Sequence, residues 1–544
     1  MTRREAILSC LLVFGVALIV RTVCASIIVF PKPEDTAYYV GVARNLLEGR
    51  GLVTDALWSY QTPPLEIPHA AFEVWLPLPT FLAAVPMAMF GTSFAAAQVS
   101  SVLIGSIVPV LAWRLAADVA TERDLAPGRA RTLALGTGLT CAVYLPLVLN
   151  SALPDSTMPF AVIVLGACLL MTRIVRDPRG ARLVDPRLIG LGVLLGLGAW
   201  TRNEIAWLAL IWTATAWFGV KAPMAVRVRL IAIVAVIAIL VFAPWAARNL
   251  VVFGSPLPGQ AITNALYHSG FDIFAWNDPP TLSRYLALGP ARLLELRAEG
   301  LSHNLFNVLV LLGMPISLLG VLALPWQARP RALRPLVWFS LVTFLFTSLV
   351  FPAATQWGTF LHAAGAIHVL IVISALLALD VGIARLAARQ GWTRPVAWLG
   401  PTLGVFGSLL FSVVLLPTFG DGSRSTAVIY DELGQRMAAT GHPLDESAGP
   451  VISNFPIWMA ETARIPSLAL PDEPPEDVLD LARSFPGTRL LVLIDPQGEH
   501  WPADLEAGLP GSECFREIDL GQHGSVGVDL DPLADTTVYQ VSCP

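Results

Sequence analysis

The sequence predicts a polytopic α-helical membrane protein with a small extracytoplasmic α/β domain at its C-terminal end. Three observations carry this. Of its 544 residues, 55% are hydrophobic and only 14% are charged, with a mean hydropathy of +0.64, whereas soluble domains carry about 25% charged residues. The apolar residues gather into separate runs near the length of a bilayer-crossing helix, roughly 20 residues. Beyond residue 417 that pattern stops and an acidic segment begins.

The runs lie near 6–30, 94–114, 132–150, 157–173, 187–200, 204–220, 230–246, 304–324, 335–352, 363–383 and 396–417, which predicts about 11 transmembrane helices. The runs at 187–200 and 204–220 are the shortest. Basic residues orient the set. Arg3/Arg4, Arg114/Arg123/Arg129/Arg131, Arg173/Arg176/Arg179/Arg182/Arg187, Lys221/Arg227/Arg229, Arg329/Arg331/Arg334 and Arg385/Arg389/Arg394 hold 20 of the 35 Lys and Arg residues and fall on alternate loops. The positive-inside rule then places the N-terminus in the cytoplasm and the C-terminal domain outside the membrane. Residues 74–90 are also apolar, but Pro77, Pro79 and Pro86 interrupt them. Counting them as a span would put the Arg114–Arg131 cluster outside, so a half-embedded helix in the outer interface is expected there. Arg3-Arg4, an apolar core and Val23-Cys24-Ala25 loosely resemble a secretion signal. Arg21 interrupts that core and the apolar run resumes afterwards, so a retained first helix is expected.

The segment 418–544 holds 21 acidic and 6 basic residues, a balance of −15 in a chain of net charge −5. Val451–Ser453, Ser467–Leu470, Leu490–Ile494 and Val538–Val541 read as strands, with Ile457–Ala463 and Glu476–Ser484 as helices between them. Cys514 and Cys543 lie in this segment, in the one compartment where a disulfide persists; they are either bonded or a free pair. Cys10, Cys24, Cys141 and Cys168 fall in apolar runs as small core residues.

Four places combine ionisable groups with an expected outer boundary. The first is Glu34-Asp35, ahead of a stretch in which Tyr38, Val42 and Leu46 share one helical face and Tyr39, Ala43 and Leu47 lie beside it. From spacing alone, Asp35 caps that helix. A general base, its pKa raised by partial desolvation, is the second reading. Next comes Thr201-Arg202-Asn203-Glu204, a cation and a carboxylate between two apolar runs, where ionisable groups are costly unless paired or functional. Residues i and i+2 do not face each other on a helix, so an Arg202–Glu204 pair requires a non-helical turn. Arg248, in Pro244-Trp245-Ala246-Ala247-Arg248-Asn249, reads as a snorkelling cation in an interfacial Trp belt. His362, in Gln356-Trp357-Gly358-Thr359-Phe360-Leu361-His362, reads as an interfacial histidine.

The run Pro33-Glu34-Asp35-x-x-x-Tyr39-x-x-x-Ala43-Arg44-Asn45-Leu46-Leu47-x-Gly49 resembles the first outer loop of bacterial GT-C glycosyltransferases, the group that includes lipid A aminoarabinose transferases and protein O-mannosyltransferase-like enzymes. The resemblance implies a GT-C fold and an inverting transfer of sugar from a polyprenyl-phosphate donor to a glycan, lipid or protein acceptor. It implies Asp35 as catalytic base with Tyr39 in register. It also implies Tyr39, Arg202, Glu204, Arg248 and His362 as substrate-binding residues, with the donor phosphate near Arg202, Arg248 and His362. These relatives usually read Asp-Glu where this chain reads Glu34-Asp35, so no role transfers to Glu34. A transporter or flippase of a lipid or sugar, or a non-catalytic subunit of the same fold, would share the spans.

The remaining signals are structural. His69, Glu66 and Glu73 lack a recognised ligand spacing; no cofactor is assigned, and a divalent metal stays open. Gly190, Gly192, Gly196 and Gly198 lie inside an apolar run with no following Lys, which fits close helix packing. Asp155 after Pro154 reads as a helix cap. Topology accounts for the basic loops without a nucleic-acid partner.

Overall fold

The computed structural model describes residues 3–177, 185–258, 261–392, 396–521 and 531–543. Arg179, Arg182 and Arg394 of the basic clusters lie outside them. Among the described residues, seven helices are long and apolar enough to cross a membrane: α1 (Arg3–Ile27), Phe94–Glu122, Thr157–Arg176, Met224–Phe253, Arg331–Val350, Gly365–Arg389 and Leu399–Ala439. The remaining runs are shorter or broken helices, among them Pro186–Ala199, Ile205–Gly219 and Ile316–Gln327. The apolar segment at 74–90 forms Leu78–Phe90, whose 13 residues reach only about 20 Å, short of the roughly 30 Å hydrocarbon thickness.

The run 132–150 breaks into Pro127–Val143 and Leu145–Asn150 at Tyr144, ahead of Pro146, which has no N–H to continue the ladder. The carbonyls this frees are satisfied from α1 and from the last long helix. The buried Arg21 guanidinium donates to Ala142 O at 3.0 Å, to Cys141 O at 3.4 Å and to Ser151 Oγ at 3.0 Å. Ser412 Oγ donates to Val143 O at 2.6 Å. The arginine that interrupts the first apolar run is therefore a partner for a proline break elsewhere, as backbone inside a bilayer demands. The glycine row acts in packing: a Cβ on Gly192 or Gly196 would sit 2.6 Å from Ile237 Cβ or 2.5 Å from Val241 Cβ on the neighbouring helix.

Basic loops gather at one end of the bundle. Arg131 meets Glu5 at 3.0 Å, Arg129 meets Asp380 at 2.8 Å, Arg176 meets Glu122 at 3.1 Å, and Arg123 donates to Gln327 at 3.0 Å. At the other end, α2 (Glu34–Leu47) follows α1 and joins a mixed extramembrane layer. Eight strands occur among the described residues: β1 (Val53–Thr54), β2 (Ala56–Leu57), β3 (His69–Ala70), β4 (Val451–Ser453), β5 (Ser467–Ala469), β6 (Leu490–Ile494), β7 (Phe515–Glu517) and β8 (Thr536–Val541). β1 pairs with β3, and a six-stranded sheet runs β2-β5-β4-β6-β8-β7. Its first four strands pair in parallel, and β8 and β7 add antiparallel.

The edge strand β2 belongs to the loop that follows α1, so loop and C-terminal segment share one sheet and one core that includes Tyr38, Trp58, Trp458 and Leu468. The 41-residue helix Leu399–Ala439 passes through the expected boundary at 417/418 without a break. At 1.5 Å per residue it spans about 60 Å and carries the chain from the bundle directly into the sheet. Cys514 and Cys543 form a disulfide, with Cα atoms 5.2 Å apart.

Candidate active site

A cavity of about 580 Å³ lies at the end of the bundle away from the basic loops. Its walls come from the start of α2, the turn at 200–204, the short helix Thr359–Ala363, the segment 264–274 and residues 455–458 of the C-terminal domain. Asp35, Tyr39, Arg202, Glu204 and His362 all line it.

Asp35 stands in the first turn of α2, its Oδ2 3.0 Å from His362 Nε2. The other ring nitrogen, Nδ1, lies 2.9 Å from Thr157 Oγ1 and 3.5 Å from Asp155 Oδ2. Asp155 is buried, and its Oδ1 accepts the Thr157 N–H at 2.8 Å. One imidazole thus sits between two carboxylates. Burial pushes the Asp35 carboxyl up, but the His362 charge and hydrogen bond outweigh it and hold Asp35 below the usual carboxylate range. Burial alone would lower His362; Asp35 and Asp155 reverse this and raise it to about 10. At neutral pH the pair is carboxylate and imidazolium.

Glu34 turns the other way. It accepts the Ile457 N–H at 3.0 Å and the Trp458 N–H at 3.4 Å, at the start of helix Pro456–Ala463. Burial raises it to about 8 despite those two amides. Neighbouring carboxyls therefore divide: one is ionised on a histidine, the other is held against the C-terminal domain.

Arg202 and Glu204 pair within the non-helical turn that joins Pro186–Ala199 to Ile205–Ala214. Arg202 Nη2 and Nε donate to the carboxylate at 2.8 and 3.1 Å, Nη1 to Ser156 Oγ at 3.0 Å, and Nη2 also to Thr359 O at 2.9 Å. Of five guanidinium N–H groups, these bonds leave one on Nη1 uncommitted among the described residues. Arg248 is elsewhere. Its guanidinium stacks over Trp245 at 4.9 Å and Phe253 at 5.1 Å, bonds Asn249 Oδ1 at 3.1 Å, and does not line the cavity.

Two lining or supporting groups carry weak sequence signals. Lys32 lines the cavity with its ammonium 5.7 Å from the Trp458 ring, and among the described residues it has no ion-pair partner. Asp155 does cap Thr157, as its position predicts, but its second oxygen faces a histidine more than 200 residues away. Trp58, Trp75 and Trp458 line the domain side of the cavity, and Trp207, Phe346 and Phe351 the bundle side. Among the described residues no cluster of three His, Cys, Asp or Glu side chains is arranged to hold a metal. His69 instead pairs with Glu73 at 3.2 Å, both buried.

A helical bundle under a mixed extramembrane layer defines a GT-C-fold membrane protein. Solved structures of similar architecture agree. ArnT from Cupriavidus metallidurans, bound to undecaprenyl phosphate, matches with a TM-score of 0.54 and 14% identity over 97% of both chains. The oligosaccharyltransferase AglB from Archaeoglobus fulgidus, in complex with an inhibitory peptide and a dolichol-phosphate, matches with a TM-score of 0.51 and 13% identity, over 89% of this chain and 69% of that one. No protein-family model and no curated protein sequence matches the chain.

Proposed function

We propose that the chain transfers a sugar from a polyprenyl-phosphate donor to an acceptor nucleophile at the outer face of the cytoplasmic membrane, with Asp35 as general base. The observation that carries this reading is the Asp35–His362 pair on the wall of a cavity that also presents Arg202 and Lys32. The basic loops lie at the opposite end, where the positive-inside rule puts the cytoplasm. The reading is also supported by the fold shared with two structures that hold polyprenyl-type phosphates.

In this mechanism the acceptor hydroxyl or amine gives its proton to Asp35 as its oxygen or nitrogen bonds the anomeric carbon. The bond from that carbon to the phosphate oxygen breaks, and its electrons leave with the lipid phosphate. One displacement inverts the anomeric centre. Charge develops on the leaving phosphate, so fixed cations stabilise the transition state more than the ground state. Lys32 and the free N–H of Arg202 supply them. His362 keeps Asp35 deprotonated, and Tyr39, one turn along α2, borders the same space.

The test is purified protein in liposomes containing a labelled polyprenyl-phosphate sugar. Sugar leaving the lipid for an acceptor is the expected result. Donor that crosses the bilayer intact makes the chain a transporter and ends the proposal. Lys32→Gln, which removes a charged hydrogen bond of about 1.5–3 kcal/mol, is expected to lower kcat/KM for the donor about tenfold or more, with the larger part of the loss in kcat.

A pH profile tests the histidine. Asp35 is lowered in the folded protein, so activity persists down to acid pH and falls only as pH drops through that lowered value. The alkaline limb lies near pH 10, where His362 loses its proton. In His362→Gln, the burial of Asp35 is opposed only by its backbone hydrogen bond and the Arg202 charge. The acid limb is expected to move to higher pH, and the limb near 10 to vanish.

A further inference from the structure

A second, larger cavity of about 1470 Å³ opens on the bundle surface between the helices Thr157–Arg176, Ile205–Ala214 and Arg334–Val350. One end is cationic. Among the described residues, Arg176, Lys221, Arg331 and Arg334 line it against a single carboxylate, Glu122. That carboxylate ties the end together: it pairs with Arg176 at 3.1 Å and accepts the Arg331 and Ala332 N–H groups at 2.6 and 2.9 Å. The turn presenting Lys221 is fixed in a similar way, with Arg227 donating to Ala222 O at 2.9 Å and Trp217 O at 3.0 Å. Among the described residues, the side chains of Lys221, Arg331 and Arg334 have no ion-pair partner. All three are exposed.

The rest of the groove is apolar and uncovered. Leu210 is 60%, Trp338 56% and Phe218 84% exposed. From Lys221 the groove continues back along the helical segment Ile205–Gly219 to Trp207, about 18 Å. That is more than one leaflet's share of a roughly 30 Å hydrocarbon core.

We infer that this groove holds an anionic phospholipid, its phosphate among Lys221, Arg331 and Arg334 and one acyl chain along Leu210, Phe218 and Trp338. The charge pattern selects the occupant. A zwitterionic headgroup would bring its own ammonium into a cluster that already holds four cations against one carboxylate, whereas a phosphatidylglycerol or cardiolipin phosphate neutralises it. The positive-inside rule accounts for basic loops in general. It does not require three unpaired cations to converge on the mouth of one apolar groove. Trp207 lines both this groove and the Asp35 cavity, so the lipid tail ends at the partition between them.

The probe is phosphatidylglycerol added to the purified full chain in phosphatidylcholine nanodiscs, read by native mass spectrometry after release into detergent. Each cation at a membrane surface contributes about fivefold to anionic-lipid affinity, so Lys221→Gln/Arg331→Gln/Arg334→Gln should weaken retention on the order of 100-fold. Undiminished retention in the triple variant overturns the inference. A second measurement needs no charge change: phosphatidylglycerol brominated on its acyl chain should quench tryptophan fluorescence more than brominated phosphatidylcholine does, and Trp338→Phe should reduce the difference. Equal quenching by the two lipids overturns the inference. So does stoichiometric displacement of phosphatidylglycerol by a polyprenyl phosphate, which would make the groove the donor's tail path. Sugar transfer enters neither readout.

Discussion

Asp35→Asn is expected to lower the rate of sugar transfer by about 10²–10⁴-fold, the usual contribution of a positioned general base, while the protein folds and still binds donor. The substitution is close to isosteric. The amide oxygen can still accept from His362 Nε2, so the 3.0 Å contact that fixes the ring survives. What disappears is the capacity to take a proton, together with the charge that helps keep His362 protonated. Glu34→Gln is the internal control. Glu34 already faces the Ile457 and Trp458 amides rather than His362, and a glutamine oxygen can accept both. It should therefore retain most activity. Measuring kcat and donor KM separately decides the matter: a base lost from the transition state lowers kcat with little change in KM. Wild-type transfer by Asp35→Asn would remove the catalytic reading altogether.

The choice between neighbouring carboxylates could be approached from the sequence only through a resemblance, because spacing alone favours Asp35 as a cap. Hydropathy located the apolar helices, since a bilayer imposes one length and one polarity on every span. The segments Val451–Ser453 and Leu490–Ile494 were equally plain as strands, being short apolar runs between turn residues. What could not be read depends on contacts between distant parts of the chain. Ala56–Leu57 is too short for any periodicity and is a strand only because Ser467–Leu468 lies beside it. The 417/418 boundary followed a change in composition, but a helix leaving the bilayer changes its exposed surface without ending. Pro417 sits inside it. Asp155 looks like a cap and its Oδ1 does accept the Thr157 N–H; its second oxygen lies 3.5 Å from Nδ1 of His362, on a different helix. Arg248 has the residue type a phosphate site wants, yet its guanidinium is occupied by two aromatic rings in the interfacial belt that its Pro-Trp context also predicts.

Arg44→Met is expected to destabilise the extramembrane layer by about 3–5 kcal/mol, the cost of leaving one partner of a buried ion pair without compensation. Arg44 and Glu461 meet through two parallel N–H to carboxylate bonds, with only 6% and 9% of their side chains exposed. Arg44 Nε also reaches Thr92 O at 3.3 Å. The pair joins α2 to helix Pro456–Ala463, the same two elements that Glu34 links from the other end. Asp35 is held between these two ties. Loosening one should lower the thermal midpoint of the layer and also let Asp35 drift from His362, so kcat falls in a variant whose substitution is nine residues from the base. Arg44→Met/Glu461→Met separates the two effects. Replacing both partners by apolar groups of similar size is often neutral or stabilising, so the double variant should regain the midpoint lost by the single one. If activity returns with it, the ion pair acts by holding α2 in place. If the midpoint returns and kcat does not, the orientation of this charged pair sets the position of Asp35, because an apolar contact can restore packing free energy but cannot fix the rotation of α2 about its axis.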